Sequence, residues 1–324
     1  MLDCMEKKKK MVKPKNVRQL VYQYLKSDAY RKLGGASQRD YYDCLMVIND
    51  DVGSTSLMRL SVPMMQRYYD VWLRRGKSRA NKIAAIMSIL LNWGIKNEIS
   101  VLNPMRYLDK TPNPKRRVIW EPEQVSQFLS TAYSHWKWRS IGLIVQMAYE
   151  WGQRVGDMRM LTWAAIDFDK KRCNLEQSKR GESVHLPIND GFMHVLKQQH
   201  ETFGFQPLVA PQMQPSDGAY KPYSKEMLHV YVNAVLEEAG LPSHLTAMDM
   251  RRTAITEMVE AGVDITQIKQ VSGHTNINSL TPYIKHTYTG ASEALAQRTA
   301  FKEEKEIPSA DPYRAAYYKE DEWL

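Results

Sequence analysis

Arg154, Lys179, Arg251, His274 and Tyr283 follow one another along the second half of the chain, and together these residue types suit chemistry on a phosphodiester. Breaking such a bond needs a nucleophile, neutralisation of the non-bridging oxygens and a proton for the leaving sugar oxygen. Tyr283 offers a phenol. A free phenol is almost wholly protonated at neutral pH, so it needs concentrated positive charge nearby. Each of two arginines can fork onto phosphate oxygens. An imidazole adds a further hydrogen bond, and a lysine beside other cations becomes a better proton donor. The resulting tyrosine–phosphate link conserves bond energy, so rejoining requires neither ATP nor metal, and no cofactor is expected.

Other chemistries find little support. The chain has no Gly-rich phosphate loop, no nucleophile-elbow serine and no cluster of metal ligands. His194 and His200 lack a third ligand and read as surface or core histidines. Cys4, Cys44 and Cys173 are too scattered for a zinc site or a disulfide scaffold, which fits a reducing cytosol. Lys and Arg number 45 against 36 Asp and Glu, a net charge of +9 that points weakly toward a polyanionic partner such as nucleic acid. With 43% hydrophobic and 25% charged residues the chain is globular. Its most apolar helical stretch, 83–95, is too short to cross a bilayer, and no signal peptide opens the sequence. A cytoplasmic protein without membrane association is expected.

The elements that must position these residues divide between two domains, as 324 residues suggest. Residues 1–15 form a lysine-rich tail, either solvated or laid on a phosphate backbone. Residues 16–105 read as a helical bundle. Leu20, Val21, Tyr24 and Leu25 recur at helical spacing, as do Tyr41, Leu45 and Ile48. Ser61 is the expected N-cap of a third helix with Pro63 in its first turn, and a fourth spans 80–95. Asn103-Pro104 is expected to end the bundle. Residues 106–117 read as a linker. After it, 118–300 form a mixed domain in which Ile141, Ile144, Val145 and Ala148 mark one helical face. Short strands are expected at 166–168, 172–177 and 183–188, the last two joined through Ser178-Lys179-Arg180-Gly181. The fold class is therefore mainly α with a small antiparallel β-sheet. Residues 301–324 are a charged, aromatic tail. Arg74, Arg75, Lys77, Arg79 and Lys82, with Lys115, Arg116 and Arg117 of the linker, face DNA phosphates or form a solvated basic face.

Gly273-His274 followed nine residues later by Tyr283 is suggestive; its neighbours decide the matter. They are Gly152-Gln153-Arg154-Val155-Gly156-Asp157, Gln177-Ser178-Lys179-Arg180-Gly181 and Asp249-Met250-Arg251-Arg252-Thr253. Together they resemble the tyrosine recombinases, the phage integrase family. Arg154 fits the family's first catalytic arginine, Asp157 its acidic residue, Lys179 its hairpin lysine (with Arg180 as competitor), Arg251 its second arginine, His274 its Gly-His histidine and Tyr283 its nucleophile. One position departs: Met248 stands where the family carries a histidine, and His244, one helical turn upstream, is the candidate substitute. If Ser279 caps a helix, Pro282 falls in its first turn.

The resemblance implies a helical core-binding domain and a mixed α/β catalytic domain acting on double-stranded DNA. It implies a 3′-phosphotyrosine intermediate and a homo-tetramer exchanging strands through a Holliday junction, with DNA-bending accessory proteins as further partners. The tail docks either on a neighbouring protomer or on its own domain. Two other readings share the fold: an impaired DNA-binding protein, suggested by Met248, and a nicking-resealing enzyme of the type IB topoisomerase kind.

Overall fold

The computed structural model describes residues 13–99, 102–114, 116–178, 181–283 and 288–305. The chain divides into two compact units, Met1–Arg116 and Arg117–Leu324. The lysine-rich residues 1–12 and the end of the tail, 306–324, lie outside the described residues.

The first unit is helical: α1 (Val17–Leu25), the single turn α2 (Asp28–Arg31), α3 (Gly35–Val52), α4 (Val62–Leu73) and α5 (Lys77–Lys96). Asn16 starts α1 by accepting the Gln19 amide at 3.0 Å. The core is the apolar stripe of each helix, with Leu20 and Val21 from α1, Leu45 and Ile48 from α3, Met65, Tyr69 and Trp72 from α4, and Ile83, Met87 and Leu90 from α5. Pro63 lies in the first turn of α4 behind Ser61, whose side chain makes no capping bond.

Helix α5 stops well before Asn103. Glu98 takes a left-handed φ of 57°. The Glu98 amide bonds Ile95 O at 3.0 Å and the Ile99 amide bonds Gly94 O at 2.8 Å. This double closure satisfies the last carbonyls and ends the helix without a proline. Asn103 instead pins the chain that follows. Its buried amide reaches Ser88 O at 3.1 Å and Asn92 Oδ1 at 2.9 Å while accepting the Met105 amide at 3.1 Å. Met105 and Leu108 then join the core. Farther on, the Thr111 amide donates to Tyr69 Oη at 2.9 Å and Asn81 donates to Thr111 O at 2.8 Å. Residues 104–111 are therefore held on the first unit.

The second unit runs α6 (Pro122–Ser134), α7 (Arg139–Glu150), α8 (Val155–Met158), β1 (Ile166–Asp167), β2 (Arg172–Glu176), β3 (Ser183–Pro187), α9 (Asp190–Phe203), α10 (Lys225–Glu238), α11 (Met250–Glu260), α12 (Ile265–Ser272) and α13 (Tyr288–Glu304). The strands form one antiparallel sheet in the order β1-β2-β3. Cys173 pairs with Leu186 and Leu175 with Val184, and the alternation sends these four inward. Helix α7 is the axle. Leu143 and Met147 are buried as well as Ile141, Ile144, Val145 and Ala148, so it is apolar on more than the single expected face. The reason is its neighbours, since α6, α10 and α11 all pack on it.

The closing helices differ from expectation around Tyr283. Ser279 ends a short 3₁₀ turn, Ile277–Ser279, and Thr281–Tyr283 form a second one, so Ser279 caps no α-helix there. Leu295 and Phe301 of α13 are exposed. Among the described residues no helix is long and apolar enough to cross a membrane.

Asn103→Ala should strand the buried Met105 amide and the acceptors on α5. The expected result is a loss of about 1–3 kcal/mol in the stability of the first unit, read by denaturant unfolding.

Candidate active site

Two backbone turns bring the distant motifs together. The first follows α7, where Gly152 takes φ +58°. Trp151 anchors this turn to the sheet by donating its indole N–H to Pro187 O at 3.1 Å. The next residue, Gln153, is fully buried and donates to Trp151 O at 2.8 Å and to Val271 O at 2.6 Å. Arg154 then caps α8, with about a quarter of its side chain exposed. Its Nη1 donates to Gln177 Oε1 at 2.8 Å and lies 3.7 Å from the buried Asp157 carboxylate. Asp157 in turn accepts the Ser178 amide at 3.3 Å and the Ser178 hydroxyl at close range.

The second turn ends α12 at Gly273, in the left-handed region at φ +63°. A Cβ there would stand 2.5 Å from Gln177 Nε2, so both the dihedral and the close approach demand glycine. His274 follows, its Nδ1 2.7 Å from Ser272 Oγ. Arg251, the second residue of α11, is buried and sets its Nη2 3.2 Å from His274 Nε2 and 3.3 Å from Nδ1. A guanidinium only donates, so the ring nitrogen facing it accepts.

The start of α11 is fixed from two sides. Asp249 Oδ2 accepts from Thr246 N at 3.1 Å and Thr246 Oγ1 at 2.8 Å. Trp120 donates its amide to Thr253 Oγ1 at 3.0 Å and its indole N–H to Thr246 O at 3.2 Å. Farther along the α7–α11 contact, Tyr149 Oη donates to Glu257 Oε1 at 3.0 Å. Burial pushes the Tyr149 phenol and the Glu257 carboxyl above their ordinary ranges.

Tyr283 is half-buried against Ile255, Ile268 and Leu280, with the Arg252 guanidinium 5.3 Å above its ring. It thus sits on the helix that carries Arg251. Among the described residues a cysteine nucleophile is a poor rival: Cys44 and Cys173 are buried, and burial pushes the Cys173 thiol up to about 12. Among the described residues no group of three or more carboxylate, imidazole or thiol ligands gathers for a metal.

The structure therefore brings Arg154, Arg251 and His274 into one hydrogen-bonded array and seats Tyr283 on α11. Lys179 and Arg180 lie outside the described residues; the hairpin base beside them is closed by Gln177 N to Glu182 O at 2.8 Å and Gly181 N to Gln177 O at 2.8 Å. His244 is not one helical turn from Met248. It lies in an exposed turn after Pro242, and the Thr246–Asp249 capping box begins a new 3₁₀ turn behind it. Met248 projects from that turn with 82% exposure. Sequence reasoning passed over Gln153, Gln177 and Ser272. Glutamine and serine are surface residues by type, and only the motifs flanking them hinted at a role.

In the first unit the basic residues are partly spoken for. Arg75 pairs with Asp51 at 3.3 Å, Lys82 with Asp40 at 3.1 Å, and Arg79 donates to Asp43 O at 3.5 Å. Arg74 and Lys77 are exposed, as are Arg116 and Arg117; Lys115 lies outside the described residues.

Gly273→Ala should cost about 2–4 kcal/mol, from the left-handed backbone plus the overlap with Gln177. The measurement is denaturant unfolding of the full chain, and the midpoint is expected to fall.

Comparison with known proteins follows the same lines. A model of the phage integrase family matches residues 119–289. The integrase of Salmonella phage P22 is 27% identical over 184 residues, 54% of this chain and 46% of that protein. The chain spans about half the length of that integrase and of a putative integrase/recombinase of Haemophilus influenzae, 46% and 57%. Among solved structures, the Tn1549 transposon integrase in complex with circular intermediate DNA superposes with a TM-score of 0.72 at 16% identity, over 87% of this chain and 99% of that one. A lambda integrase tetramer bound to a Holliday junction gives 0.67 at 16% identity, over 83% of this chain and 77% of that one. These likenesses carry the fold. With the family's model matched across residues 119–289, more than half of its length, the chain belongs to the phage integrase family.

Proposed function

We propose that the chain is a tyrosine-type site-specific DNA recombinase. The observation that carries this reading is the convergence of Arg154, Arg251 and His274, three phosphate-binding side chains from distant parts of the sequence, in one hydrogen-bonded array. Such an array supplies fixed positive charge and donors where charge grows on a phosphorane.

In the proposed reaction the Tyr283 oxygen attacks the scissile phosphorus and the bond from phosphorus to the 5′ oxygen breaks. The phenolic proton leaves to solvent or a nearby base. The electron pair of the broken bond stays on the 5′ oxygen, which takes a proton from Lys179; that lysine is assigned on sequence alone. The products are a 3′-phosphotyrosine and a free 5′-hydroxyl. Attack by a 5′-hydroxyl from a partner duplex reverses these steps and joins the exchanged strand, so no bond energy is lost.

Double-stranded DNA is the substrate in this reading, and a homo-tetramer on a Holliday junction is the assembly, as in the lambda integrase structure. The helical first unit serves as the core-binding domain. Its exposed Arg74 and Lys77 contact phosphates directly, whereas Arg75 and Lys82 must first leave Asp51 and Asp40. DNA-bending accessory proteins are further partners in this scheme.

Duplexes of randomised sequence, each nicked so that a short 5′-hydroxyl fragment escapes after cleavage, test the reading. Wild-type protein is expected to capture a subset as a covalent adduct that survives denaturing gels, and Tyr283→Phe to capture none. Adduct formation by Tyr283→Phe would overturn the assignment of the nucleophile.

A further inference from the structure

Gln177 lies two residues before the hairpin lysine and has no exposed surface. Its side chain is the point where three chain segments meet. Oε1 accepts Arg154 Nη1 at 2.8 Å, and Nε2 donates to Ser272 O at 2.9 Å and Gln153 Oε1 at 2.7 Å. Arg154 can only donate and the Ser272 carbonyl can only accept, so the orientation of the amide is determined by its partners. Both amide hydrogens are used. The Gln153 amide is spent in the same way, on Trp151 O and Val271 O.

These bonds have a direction relative to the chemistry. Arg154 stands on one side of the Gln177 amide. On the other is the carbonyl of Ser272, whose hydroxyl meets His274, which in turn meets Arg251. Gly273, between Ser272 and His274, lacks the Cβ that would push the amide away. A plain core contact would need none of this polarity. An amide buried for packing alone costs desolvation that an apolar side chain of equal size avoids.

We propose that Gln177 is a positioning residue for strand cleavage: its amide ties the Arg154 guanidinium to the turn that carries His274, so that both meet the same phosphate. This rests on the recombinase reading above. Gln177 touches no substrate; it acts by holding the spacing of groups that do, and misplacement of such groups by about 1 Å costs on the order of 100-fold in rate.

The test uses the full chain and a nicked duplex recovered by covalent capture on the wild-type protein. Gln177→Met keeps the volume and removes all three bonds. Gln177→Glu keeps an acceptor for Arg154 but has no N–H for Ser272 O, so it also cuts the tie. For both, the adduct rate at saturating duplex is expected to fall about 10–100-fold, with the half-saturating duplex concentration within threefold of wild type. In an Arg154→Ala background Gln177→Met should add less than threefold, because the residue it positions is gone.

A wild-type rate in either folded variant, or an equal loss in both backgrounds, would overturn the proposal. So would unfolding of both variants in a thermal melt, which would make the amide a stability element only. Failure of the wild-type protein to capture any duplex overturns the recombinase reading itself, and this inference with it.

Discussion

The structure depends on holding positively charged, donor-only side chains close together before any phosphate is present. Like charges held close together away from bulk water repel one another. Each arginine is met by a different acceptor. Arg154 has the Gln177 amide and the buried Asp157 carboxylate. Arg251 has the imidazole of His274. One carboxylate faces the two arginines, and the closest contact of Arg154 is with a neutral amide. A second carboxylate in place of the amide would compete with the phosphate of the proposed substrate.

The packing serves that arrangement. Helix α7 is buried on most sides by its neighbours, and its C-terminal end leads directly into Gln153 and Arg154. Helix α11 packs on α7 and on α12, and α12 packs on β3, so the two arginine-bearing segments and the histidine turn share one framework. Trp120 ties α11, at Thr253, to the loop before it, at Thr246, by two hydrogen bonds from one residue. Gly273 is the point of closest approach, where backbone conformation and side-chain docking coincide.

Much of this was legible in the sequence. Helical spacing located α1, α3, α4 and α5, and the hairpin turn flanked by alternating residues located β2 and β3, because burial of one face imposes those periods. The residues brought together at Arg154, Arg251 and His274 were named from their motifs. The bonds among them were not. Gln177 and Gln153 are buried only because their amides find complete partners, a property of three-dimensional neighbours rather than of residue type. Helix α5 ends at Lys96, close to the expected 95, but the left-handed backbone of Glu98 that closes it is a conformation that sequence assigns to glycine or asparagine. Likewise His244 was placed on a helix that the capping box at Thr246 starts only later. Met248 projects outward, so the methionine in place of the family histidine leaves the Arg251–His274 contact intact.

The central claim is that these groups meet at one phosphate. The most direct measurement is a crystal structure of the Tyr283→Phe protein bound to a duplex that the wild-type protein captures. The account predicts the guanidinia of Arg154 and Arg251 and the imidazole of His274 within hydrogen-bonding distance of a single phosphate, with the Gln177 amide still joining Arg154 to Ser272. Arg154 and Arg251 bound to different phosphates, or a duplex lying on another face of the second unit, would contradict it.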